Sequence, residues 1–146
     1  SKWDYGNDSV WEDDFSNSSG QEETYTDPRD LVYFSGHGSS AWDWRYLSTR
    51  RTLHFGNQSH DDANLVPGDA HRAWGNNDME WICFSACQVL KDDGYWANAM
   101  DHLHLMMGWK TNMKDVNMEK YMRDIISTLH GAGSGNIFRM KCAALL

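Results

Sequence analysis

Two short, uninterrupted apolar runs, each closed by small residues, limit the folds open to this chain. Leu31-Val32-Tyr33-Phe34-Ser35 leads into Gly36-His37-Gly38, and Trp81-Ile82-Cys83-Phe84-Ser85 leads into Ala86-Cys87. A strand with one wet face alternates apolar and polar residues. Continuous apolar character instead marks a strand buried on both faces, as in a parallel sheet. Residues 105–109 read as a third strand, residues 139–146 as a last one, and residues 51–55 as a short strand of alternating character. Between them lie patterns of helical period. Residues 94–104 place Trp96, Ala99, Met100 and Leu103 on one face, and residues 115–129 do the same with Met118, Met122, Ile125, Ile126 and Leu129. A short helix is expected over residues 69–74, with Asp69 as its N-cap. Strands alternating with helices describe an α/β domain built on a mainly parallel sheet.

A chain of 146 residues suits one such domain, burying roughly two-thirds of the surface of the unfolded form. Residues 1–29 are rich in Asp, Glu, Ser, Asn and Gly. They are expected to be an irregular acidic segment, docked through Trp3, Tyr5, Trp11 and Phe15 or partly disordered. Residues 30–146 form the α/β domain proper, and its apolar end fits a piece of a longer chain.

Ligand sites of parallel sheets lie beyond the carboxyl ends of the strands, where His37 and Cys87 both fall. A thiolate attacks carbonyl carbon well, but a free thiol is mostly protonated at neutral pH and needs a base or a positive field. Cys87 is expected to have both, from His37 and from the helix that follows. The developing oxyanion needs donors, and the amides of Gly38 and Cys87 are the candidates. Glycines on both sides of His37 allow close backbone approach. Trp42 and Trp44 could wall a substrate cleft, Asp43 could read a basic substrate side chain, and Gln88, next to the thiol, is the fourth substrate-binding candidate.

An apolar strand ending in His37-Gly38, followed by one ending in Ser85-Ala86-Cys87, resembles the caspase, gingipain, clostripain and legumain superfamily of cysteine peptidases. The wider pattern is similar to a little-studied microbial family of that superfamily. It includes Ala73-Trp74-Gly75 before the cysteine strand and Leu103-His104-Leu105-Met106-Met107-Gly108-Trp109-Lys110-Thr111-Asn112 after it. The resemblance implies a three-layer αβα sandwich, His37 as acid/base, Cys87 as nucleophile, and oxyanion donors at Gly38 and Cys87. It implies a peptide or protein as substrate. The negative charge and Asp43 near the His loop add the expectation of a basic residue at the cleaved position, and no cofactor or metal is expected.

Other functions stay open. One is a catalytically inactive caspase-like scaffold, serving as a structural or binding module in an assembly or in self-association. Another is a zinc hydrolase drawing on His37, His54, His60, His71, His102 and His104. The net charge of −8 argues against a nucleic-acid backbone or an anionic membrane as partner. No apolar stretch is long enough to span a bilayer. Three cysteines allow at most one disulfide, and sequons at Asn7, Asn17 and Asn57 lean toward a glycosylated protein outside the cell or at its surface.

Overall fold

The computed structural model describes residues 2–6, 9–56, 62–113 and 140–144. Its main sheet has five strands in the order β1-β8-β2-β6-β7, every neighbouring pair parallel. The strands are β1 (Lys2–Gly6), β2 (Leu31–Ser35), β6 (Trp81–Ser85), β7 (Leu105–Met107) and β8 (Met140–Ala144). The two apolar runs are direct neighbours as expected, in a register that pairs Leu31 with Trp81 and Ser35 with Ser85. A second, antiparallel sheet holds β3 (His37–Asp43), β4 (Ser48–His54) and β5 (Asn64–Leu65).

Both faces of β2 are buried, which accounts for its lack of alternation. On one face Val32, Phe34, Ile82 and Phe84 meet the core of the domain. Phe34 joins Phe15 and Phe55 with ring centroids 5.2–5.9 Å apart, and Phe84 joins Trp74 and Trp96 at 5.7 Å each. Trp74 and Trp96 stack nearly flat, 6.0 Å apart, and the Trp74 indole nitrogen donates to the Phe15 carbonyl at 3.1 Å. Each of these large side chains contributes about 1.5–3 kcal/mol by leaving water.

The acidic N-terminal stretch is more ordered than its composition implies. It supplies β1, a short 3-10 turn (Glu12–Asp14) and helix α1 (Glu22–Tyr25), and it buries Val10 and Phe15 completely. Glu12, Asp14, Glu22 and Asp27 are also buried. Asp27 accepts from the Gly75 amide at 2.6 Å, and burial raises its pKa above the ordinary carboxylate value.

Two expected helices are corrected. Residues 69–72 are turns and Trp74 forms an isolated bridge with Met100, with Asp69 accepting from the Val66 amide at 3.4 Å. In place of a helix over 94–104 there are 3-10 turns at Val89–Asp92 and Ala97–Ala99 around the four-residue helix α2 (Asp93–Trp96). Trp96, Ala99 and Leu103 still face the core, because tight turns also bring residues three or four apart to one side. Helices are few among the described residues. The helix expected over residues 115–129 lies outside them. No helix among the described residues is long and apolar enough to cross a membrane.

Candidate active site

Ser35 and Ser85 are paired at the carboxyl ends of β2 and β6, and the Gly36 amide extends the ladder by donating to the Ser85 carbonyl at 3.1 Å. His37 and Cys87 each stand two residues past that pair. The next residue brings the two chains into contact. A Cβ on Gly38 would overlap the carbonyl oxygen of Cys87 and lie 3.0 Å from its amide nitrogen. Only glycine fits at 38, and the start of β3 therefore rests on the backbone of the cysteine.

Cys87 is half-buried and His37 is exposed. The Cys87 thiol is engaged by one residue, accepting from the Met113 amide at 3.2 Å and facing the Met113 carbonyl at 3.5 Å. Ser85 reaches the same residue, its hydroxyl 3.4 Å from the Met113 sulfur. The segment before Met113 runs beside the cysteine loop, with the Gln88 amide donating to Thr111 and the Leu90 amide to Trp109, both at 3.0 Å. The Gln88 side chain donates to Asn112, and its backbone has a φ of 57°. The element after the thiol is the short turn at Val89–Asp92, not the long helix expected to favour a thiolate.

His37 opens β3 opposite His54 on β4, and His54 stands opposite Asn64 on β5. Directly opposed residues project on the same face, so the three form one row. The Asn64 side-chain oxygen lies 3.1 Å from His54 Nδ1 and 3.2 Å from the Thr52 hydroxyl. With that oxygen as acceptor, Nδ1 of His54 is the donor in this pair. Sequence reasoning counted His54 only among zinc candidates and missed Asn64 and Met113, because cross-strand register and loop contacts leave no local signature.

The structure departs from the substrate-binding expectation at Asp43. That carboxylate is fully buried and accepts from the amides of Arg45 (2.9 Å), Tyr46 (3.2 Å) and Gly68 (2.8 Å). It holds a turn and is closed to a substrate side chain. Trp42 and Trp44 are exposed, 48 % and 80 %. Of the histidines of the zinc alternative, His37 and His54 are cross-strand neighbours, while His102 pairs with Asp101 at 3.3 Å and His104 with Glu80. No group of three or more His, Cys, Asp or Glu among the described residues could hold a metal ion, and His60 lies outside them. Burial pushes the Cys83 thiol up to about 11. Cys142 is on β8. Of the sequon asparagines, Asn7 and Asn57 are outside the described residues, while Asn17 donates to the His71 carbonyl at 2.8 Å.

A family described as a domain of unknown function (DUF6345) matches residues 1–124, a span that contains both His37 and Cys87. The chain belongs to the DUF6345 family. No curated protein and no solved structure matches it. For this DUF6345 domain, the chemistry of the His37 and Cys87 loops is therefore argued from their geometry.

Proposed function

We propose that this DUF6345 domain is a cysteine peptidase with a caspase-like three-layer arrangement, in which helices cover both faces of the parallel sheet. His37 draws the proton from Cys87, and the thiolate attacks the carbonyl carbon of the scissile peptide bond. The amides of Gly38 and Cys87 donate to the resulting oxyanion. His37 returns the proton to the leaving amine, the C–N bond breaks, and water hydrolyses the thioester to release acid and free thiol.

The observation that carries this reading is the contact of Gly38 with the Cys87 backbone. It sets the residue after the base against the nucleophile, at the end of the sheet where such sites form. Alkylation of the intact protein with iodoacetamide at mildly acidic pH tests it. Cys87 is expected to react ahead of Cys83, and His37→Ala is expected to slow Cys87 by about tenfold or more. Equal rates in the two proteins would remove His37 from the chemistry.

A second reading is favoured by Met113. Its backbone occupies both hydrogen-bonding directions of the thiol, as suits an inactive scaffold in which Cys87 only fastens residues 109–113. A Cys87→Ser protein that binds peptides unchanged, together with inert Cys87 in the natural chain, would support this second reading.

A further inference from the structure

Five residues along β3 from His37, about 17 Å of extended chain, Trp42 and Asp43 end the strand and Trp44 opens the turn after it. Asp43 turns inward to its three backbone amides, and this fixes the turn that presents its neighbours to solvent. The two indoles meet edge to face, centroids 5.9 Å apart and planes at 76°. Against them lies a cavity of about 220 Å³, lined among others by Ala41, Trp42, Trp44, Asp62, Asn64 and Asp69. A second hollow of about 460 Å³ opens on Asn17, Arg45 and His71 and shares Trp44 and Asp69 with the first.

The charges lining the smaller cavity are all of one sign. Among the described residues, Asp62 and Asp69 are its ionisable groups, and neither Lys nor Arg lines it. Burial holds the Asp69 carboxyl above its ordinary value, the Asp43 and Asp62 charges add to this, and Arg45 opposes it. A cation entering beside Asp69 would relieve that cost. Electron-rich indole faces attract the same kind of group, most strongly where water is excluded.

We propose that this cavity binds a guanidinium or alkylammonium group, held against Trp42 and Trp44 and neutralised by Asp69 and Asp62. The group can come from an arginine or lysine side chain of a peptide, or from a free amine. An anion would face two carboxylates without a partner. A neutral sugar would use the indole faces and donate hydroxyls to the carboxylates, but would leave their charge uncompensated. The cavity reaches the row of His37 and His54 through Asn64, but its cation-binding groups, Trp42, Trp44, Asp62 and Asp69, take no part in the peptidase reading and the proposal does not depend on it.

Calorimetric titration of the intact Cys87→Ala protein with butylguanidinium tests the proposal, with butylurea as a neutral compound of the same shape. Butylguanidinium is expected to bind, to weaken with added salt, and to lose about tenfold or more in Asp69→Asn and in Trp44→Ala. Asp62→Asn, at an exposed position, gives a variant that leaves the fold undisturbed and is expected to weaken binding as well. An acetylated Ala-Arg-Ala amide binding more tightly than butylguanidinium would assign the cation to a peptide, and equal binding would assign it to a free amine. Butylurea or methyl glucoside binding as tightly as butylguanidinium would overturn the proposal. So would no butylguanidinium binding, or binding unchanged in all three variants. Because Cys87 is absent from the protein tested, none of these outcomes bears on cleavage.

Discussion

Gly38 touches the backbone of Cys87 with no space for a side chain between them. The contact joins the antiparallel sheet to the end of the main sheet, at the two residues expected to hold the oxyanion. Gly38→Ala must push β3 away from the cysteine loop. We expect it to destabilise the domain by about 1–3 kcal/mol and to slow iodoacetamide labelling of Cys87. Urea unfolding and mass-spectrometric labelling measure the two effects. Full stability with unchanged labelling would mean that the two loops do not touch in solution.

The two described thiols should respond differently to pH. Cys83 is buried and pushed up to about 11, so at neutral pH it has very little thiolate and little access to reagent. Its folded pKa lies above its unfolded one, so stability from this group is complete below the unfolded pKa. That stability is lost as pH rises toward 11. We expect Cys83 to label only near that pH or on unfolding, while Cys87 labels in the native state. Peptide mapping across a pH series distinguishes them.

Asp43 provides a contrast between folding and binding. With three backbone amides on one buried carboxylate, Asp43→Ala should cost about 3 kcal/mol or more. A residue that read substrate would instead raise KM and leave the melting temperature unchanged. Thermal unfolding of the variant separates the two.

Asp27 carries a pH signature. Burial raises its folded pKa, so the folded state binds more protons than the unfolded one just above the ordinary carboxylate pKa. Stability from this group is present at low pH and declines as pH rises through the raised value. Asp27→Asn keeps an acceptor for the Gly75 amide and cannot ionise. We expect the variant to gain on the natural protein in melting temperature as pH is raised from about 4 to about 7. A difference that stays constant over that range would show that Asp27 does not titrate there.

The parallel core was legible because Leu31–Ser35 and Trp81–Ser85 are apolar throughout, a pattern that few other structures produce. The same runs placed His37 and Cys87 two residues past the paired ends of β2 and β6, where the structure has them. The N-terminal segment was legible only in part: Phe15 docks on the core as its aromatic character suggested. Its carboxylates at Glu12, Asp14, Glu22 and Asp27 read as surface by residue type, yet the fold buries them. The spacing of Trp96, Ala99 and Leu103 was read correctly as one buried face and wrongly as one helix. Periodicity records which side a residue takes and not which hydrogen bonds close each turn. Asp43 was misplaced for a related reason, because a lone acid between two tryptophans gives no sign of the amides that later gather around it.

Gln88, directly after the thiol, sits at a φ of 57°, a conformation that costs most residues roughly 1 kcal/mol or more. The direction in which Cys87 projects is thus tied to the handedness of a single backbone angle. Glycine at 88 would adopt that angle without cost, while valine or isoleucine would resist it. Substitutions that never touch the sulfur can therefore re-aim it, and residue 88 acts as the set-screw of the loop rather than as part of its surface.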